Sequence, residues 1–278
     1  MQRLLALIKE TPIRTESEKW NLSREYLQVA ALKSIFASSM GSALAFQGGT
    51  CLRICHRLRR YSEDLDFSLT GPPARYDFVK LHAALFRDLS RRGFKVDGKV
   101  AEDKTVQKAF VRVGGLPELL GLSLSRNQKL AIKLEVDLRP PLKGVRETYF
   151  VSRMGELFPV LKYDLPTLFA GKALALLFRP YQRGRDYYDL AWFLGQRIKG
   201  NMDYFKAGVE QSAPHAVIGP LSTRMDSWDD VLKVLARKAA AVDAAKLVDD
   251  LRPFLEDASD LTWIRDCRRV FSQLFMQD

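Results

Sequence analysis

Two aspartates one residue apart, in Asp64-Leu-Asp-Phe-Ser-Leu69, follow a glycine pair, Gly48-Gly49, within twenty positions. In a strand alternate side chains point to opposite sides, so Asp64, Asp66 and Ser68 share one face and Leu65, Phe67 and Leu69 the other. Two carboxylates that close repel unless a cation sits between them, and hard oxygen ligands at this spacing suit Mg²⁺ or Mn²⁺. A lone D-x-D equally describes the acidic edge of a solvated strand. A second alternating stretch, Ala131–Arg139 (AIKLEVDLR), puts Ile132, Leu134, Val136 and Leu138 opposite Lys133, Glu135 and Asp137. If the two strands are neighbours, Asp137 joins Asp64 and Asp66, and three carboxylates around one or two metal ions are what in-line phosphoryl or nucleotidyl transfer requires.

Gly48 and Gly49 let the backbone approach a ligand closely. N–H groups at the start of a helix over 50–57, with the Thr50 hydroxyl, would then meet phosphate oxygens. A bare Gly-Gly is also a simple turn, but Gly-Gly-Thr before a helix, followed by D-x-D at the head of a strand, is more specific than either alone. Further on, Lys172 and Arg179 stand two helical turns apart and project from one face toward a common anion. Asp186 and Asp189 share a face of the next helix, where the alternative role is to counter the helix dipole and pair with Arg185.

These residues need elements to hold them. Leu22, Tyr26, Val29, Leu32 and Phe36 recur at helical spacing and predict an amphipathic helix that ends near Gly41. Segments 64–69, 94–100, 106–113 and 129–138 read as strands. From Asp164, an N-cap with Pro166 in the first turn, a helix runs through Phe178 and stops at Pro180. Residues 186–194, 228–238, 244–255 and 261–275 also read as helices. The expected fold is α/β (α+β): residues 1–158 with N-terminal helices and a mixed sheet, and 159–278 as a helical domain contributing Lys172 and Asp186 to the site. The stretch 212–224, around Pro214 and Pro220, reads as an interhelical connection. Tyr187, Tyr188, Trp192 and Phe193 are expected in the core, and His56, His82 and His215 have no partner at a recognisable spacing.

Of the 278 residues 47% are hydrophobic and 28% charged, which suits a globular protein of one large or two modest domains. Lys and Arg number 44 against 33 acids, and the resulting charge of +11 favours a polyanionic partner, nucleic acid first. Three cysteines, Cys51, Cys55 and Cys267, supply neither a disulfide framework nor paired metal ligands. A cytoplasmic protein is expected. The first ten residues are too charged for a signal peptide, and no apolar run approaches the roughly 18 residues of a membrane helix.

Four motifs, FQGGTCLR, RRYSEDLDF, KLEVDL and LFAGKALALLFRPYQRGRDYYDLAWFL, make residues 22–195 resemble the AbiEii/AbiGii-type nucleotidyltransferase toxins of the DNA polymerase β-like superfamily. The resemblance implies a toxin of a toxin-antitoxin or abortive-infection system that transfers NMP from an NTP, with Mg²⁺ or Mn²⁺, to an RNA acceptor such as the tRNA 3′ end. A cognate antitoxin would be its partner, and no membrane would be involved. On that pattern Asp64, Asp66 and Asp137 hold metal, and Asp137 also helps deprotonate the acceptor. Lys172 and Asp186 complete the catalytic set. Gly48, Gly49, Thr50, Ser62, Lys172, Arg179 and Asp189 bind the nucleotide, and Arg57, Arg59, Arg60, Arg183 and Arg185 contact RNA or nucleotide phosphates. The alternatives are transfer to a protein or small-molecule hydroxyl, and a basic RNA-binding module without catalysis.

Overall fold

The computed structural model describes residues 1–101, 105–122, 128–212 and 225–276. The connection expected at 212–224, His215 included, falls outside them except for Ser212. The chain forms two compact units, residues 1–140 with 146–162, and residues 141–145 with 163–278.

The first unit begins with α1 (Gln2–Glu10) and α2 (Glu16–Ala37), followed by β1 (Leu44–Gln47), α3 (Gly48–His56) and β2 (Asp64–Leu69). Next come α4 (Phe78–Arg91), β3 (Lys95–Ala101), β4 (Val106–Gly114), the single turn α5 (Leu116–Leu119) and β5 (Lys129–Asp137). The hairpin β6 (Arg146–Arg153) and β7 (Glu156–Tyr163) completes the sheet. Seven strands run in the order β3-β4-β5-β2-β1-β7-β6. β2 lies parallel to β5 and β1 to β7, while β1 with β2, β3 with β4 and β4 with β5 are antiparallel. This is the expected mixed α/β sheet.

Alternation decides which side is covered. Leu65 and Phe67 of β2, Leu130, Ile132, Leu134 and Val136 of β5, and Ala109, Val111 and Val113 of β4 are buried. α2 packs on β5 and α4 on β3 and β4 over that apolar side. α2 starts at Thr15, whose side chain accepts the Glu18 N–H. Its burial is wider than one amphipathic stripe: Tyr26, Val29 and Leu32 are inside as the spacing predicts, but so are Glu25 and Gln28.

A buried carboxylate among apolar neighbours needs cations. Glu25, 2% exposed, has Arg53 Nε at 2.8 Å and is also contacted by Arg153. Arg53 in turn donates to the Leu58 carbonyl at 3.0 Å and lies 4.5 Å over the Tyr61 ring. One acid thus ties α2 to α3, to the loop entering β2 and to the end of β6.

The second unit is helical: α6 (Leu165–Phe178), α7 (Gly184–Gly195), α8 (Met202–Ser212), α9 (Trp228–Ala240), α10 (Ala244–Leu251), α11 (Leu261–Arg265) and α12 (Cys267–Phe275). Asp164 caps α6 by accepting the Thr167 N–H at 2.9 Å, and Ser227 and Asp230 form a capping box on α9. Phe169 stacks on Phe193 at 4.5 Å with Trp228 edge-on at 4.9 Å, so this aromatic group is core. Two expected helices are shorter than predicted. The one over 244–255 ends at Leu251 because Pro253 follows, and that over 261–275 breaks at Asp266, where φ −102 and ψ 24 leave the helical region.

Replacing Glu25 by Ala leaves the Arg53 guanidinium buried without its carboxylate. The expected loss of unfolding free energy is about 3–5 kcal/mol, read by urea denaturation. A loss below about 1 kcal/mol would show that the pair does not hold these elements together.

Candidate active site

The parallel pairing of β2 with β5 sets the acids in rows. Asp64 lies opposite Lys133, Asp66 opposite Glu135 and Ser68 opposite Asp137, and all six side chains share the face away from α2 and α4. β4 extends the rows, with Phe110 beside Lys133, Lys108 beside Glu135 and Val106 beside Asp137.

Asp137 therefore stands in the row after Asp66, next to Ser68. Among the described residues no group of three or more His, Cys, Asp or Glu side chains converges to hold a metal ion. The three-carboxylate cluster expected of Asp64, Asp66 and Asp137 is not assembled. The acid in the Asp66 row is Glu135, which the strand pattern alone did not single out. Its carboxylate meets Lys133 at 2.7 Å and Lys108 at 2.9 Å. Burial raises the Glu135 pKa, but these two ammonium groups outweigh it and hold it below the ordinary range. Lys133 answers in kind: burial lowers its pKa, and Glu135, with Asp64 and Asp66 nearby, raises it overall. Among the described residues no cation pairs with Asp137. Burial pushes its carboxyl up, only partly offset by the Arg139 N–H donated to Oδ1 at 2.9 Å.

The donor chemistry of Asp64 and Asp66 nevertheless fits Mg²⁺, which typically takes one or two carboxylates and completes its shell with water and substrate phosphates. Both are half-buried on the open face.

Sharp packing explains the glycine pair. Gly48 has φ +78°, and a Cβ there would lie 2.3 Å from Asp66 Oδ2. At Gly49 a Cβ would lie 2.6 Å from Arg60 Nη2 and 3.1 Å from Ser62 Oγ. The first turn of α3, which starts at Gly48 rather than Thr50, thus abuts the Asp66 carboxylate, the Arg60 guanidinium and Ser62.

Thr50 differs from expectation. It is fully buried, and its hydroxyl donates to the Asp64 carbonyl, fastening α3 to the start of β2. Arg60 differs too. It is 2% exposed and donates to the Tyr61 carbonyl at 3.0 Å, so it faces inward rather than toward RNA. Arg57, in the left-handed cap of α3, and Arg59 are exposed. Gln28 donates to the Ser62 and Glu63 carbonyls at 3.1 and 2.9 Å and fixes the approach to β2.

In the helical unit, Lys172 Nζ lies 2.8 Å from both Asp186 and Asp189, and Arg179 also pairs with Asp186. The common anion toward which Lys172 and Arg179 point is therefore Asp186. Burial raises the Asp186 pKa, and the charges of Lys172, Arg179 and Arg183 outweigh it and lower it overall. The Arg185 guanidinium lies 4.4 Å over the Phe254 ring. Arg183 is the N-cap of α7.

A sheet that sets two aspartates beside a glycine-bounded helix start is the arrangement of a nucleotidyltransferase. The chain belongs to the nucleotidyl transferase AbiEii toxin family of type IV toxin-antitoxin systems, whose family model matches residues 30–272. It is a nucleotidyltransferase, and an antitoxin partner goes with that family. In fold it is similar to JHP933 from Helicobacter pylori, with a TM-score of 0.53 and 19% identity over 92% of this chain and 88% of that one. A candidate nucleotidyltransferase from H. pylori is similar with a TM-score of 0.54 and 20% identity over 91% of each chain. No curated protein matches the chain in sequence. No helix among the described residues is long and apolar enough to cross a membrane.

Gly48→Ala combines a left-handed backbone with a clash against Asp66. It should cost about 1–3 kcal/mol in urea unfolding and depress nucleotidyl transfer, because Asp66 must shift. Wild-type stability and activity in this variant would contradict the close packing.

Proposed function

We propose that the first unit transfers the nucleoside monophosphate of an NTP to an RNA hydroxyl, with the 3′ end of tRNA as acceptor. The observation that carries this reading is the Asp64–Asp66 pair on the open sheet face, set against the Gly48-Gly49 turn, in a chain of net charge +11. Asp64 and Asp66 would hold Mg²⁺, which when bound neutralises the triphosphate and polarises its α-phosphorus. The acceptor oxygen forms a bond to the α-phosphorus as the bond to the β-phosphate oxygen breaks, and pyrophosphate leaves. Asp137, whose carboxyl burial makes more basic, would take the hydroxyl proton. N–H groups of the first turn of α3, with Ser62 beside them, would orient phosphate oxygens.

The test incubates the protein with each α-labelled NTP, Mg²⁺, total RNA and lysate protein. Label should enter RNA, and label in protein or a small molecule alone would refute the RNA acceptor. Asp66→Ala should reduce transfer by at least about a hundredfold. Its thermal midpoint should stay close to wild type, since Asp66 lies on the open face rather than in the core. Undiminished transfer by the folded variant would remove Asp66 from the site.

A further inference from the structure

The acid rows occupy only part of the open face. Toward the β3 edge the same face carries an aromatic side chain and cations that no catalytic role uses. Phe110 is in the row of Lys133 and Asp64, and on its other side faces Lys99 of β3. It is 38% exposed, unusual for a phenylalanine in mid-strand, and the Arg112 guanidinium lies 5.6 Å from its ring centre. Lys108 and Lys133 are engaged by Glu135, and Lys129 by Asp97 at 2.5 Å. That leaves Lys95, Lys99 and Arg112 with no carboxylate partner among the described residues.

An exposed ring flanked by uncommitted cations on an open sheet is a platform for an unpaired base and its phosphates. A duplex would present phosphates and groove edges, and would have no use for a lone aromatic ring. A protein partner would have to bring acids to three separate cations while leaving the ring beside the catalytic row. From Phe110 in β4 to Asp64 in β2 is two strand spacings, about 10 Å, so a strand lying across the ring leads to the acids.

We infer that the β3–β4 part of this face binds the single-stranded end of the RNA acceptor, Phe110 stacking on a base and Lys95, Lys99 and Arg112 meeting its phosphates. The inference rests on the RNA-acceptor reading above. It assigns the feeding surface that reading leaves open.

The experiment measures binding of a fluorescein-labelled, unstructured oligoribonucleotide to the full chain by anisotropy across a salt series. Lys99→Glu with Arg112→Glu should weaken binding at least tenfold and flatten the salt dependence by about 0.7 per lost phosphate contact. The same charge change on α4, Arg87→Glu with Arg91→Glu, lies on the helix that covers the opposite side and should cost less than about threefold. Phe110→Ala should weaken binding about tenfold, and Phe110→Trp should retain it with tryptophan fluorescence quenched by the oligonucleotide. Loss equal to that of the α4 control, an unquenched tryptophan, or no oligonucleotide binding by the wild type would each overturn the assignment. So would a face whose variants keep RNA binding and lose a protein partner instead. Transfer from α-labelled NTP separates the two failures. RNA labelled equally by wild type and the β3–β4 variants refutes this surface alone, whereas no label in any RNA refutes the acceptor reading and the surface with it.

Discussion

The register of β2 on β5 governs everything on the open face. Five matched residues, from Asp64–Lys133 to Ser68–Asp137, place every carboxylate. Strand side chains alternate with period two, so a slip of one residue would carry Asp64 and Asp66 into the apolar side under α2. Such a slip would expose Leu65 and Phe67, each worth about 1.5–3 kcal/mol when buried, and strand two carboxylates at a cost of several kcal/mol apiece. The apolar residues therefore decide where the acids stand. Thr50 on the Asp64 carbonyl and Gln28 on the Ser62 and Glu63 carbonyls reinforce that register from the helix side.

Given that frame, three buried or half-buried acids acquire different chemistry from their neighbours alone. Glu135 has two ammonium groups and is held ionised; Asp186 has Lys172 and Arg179 and is held ionised more deeply in the helical unit. Asp137 has burial and one backbone N–H, and its carboxyl is made more basic. Carboxyls held below the ordinary range and a carboxyl pushed above it are thus separated without any change of residue type other than Asp for Glu. Lys133 also limits how far the acids of the open face repel one another, since it lies opposite Asp64 of β2 and pairs with Glu135 of its own strand.

Much of this was legible in sequence because alternation and capping are local. The strand 64–69 and the helix 165–178 have the predicted limits, and β4 and β5 differ by a residue. β1, four residues of which three are fully buried, shows no alternation and reads as nothing in particular. β6 and β7 pass unnoticed because the edge hairpin carries Phe150 and Leu157 on its exposed side, blurring the two-residue period. Row pairing is non-local: no pattern within β5 tells Glu135 from Asp137 as the neighbour of Asp66. For the same reason the local pattern does not show that the Thr50 hydroxyl and the Arg60 guanidinium reach backbone carbonyls.

Net charge is the coarsest of these signals, and the fold shows how it should be read. Arg53, Arg60 and Lys162 are almost wholly buried, Arg153 serves Glu25, and Lys33, Arg92 and Arg3 surround Glu156. Cations spent on internal acids shape the unit and contribute little field outside it, because each is neutralised within a few ångströms. A polyanion responds to the charges left over. On the open sheet face those include Lys95 and Lys99 of β3 and Arg112 of β4, while in the arginine-rich segment before β2 Arg57 and Arg59 are exposed and Arg60 is buried, so a basic run in the sequence does not by itself mark which of its charges reach the surface.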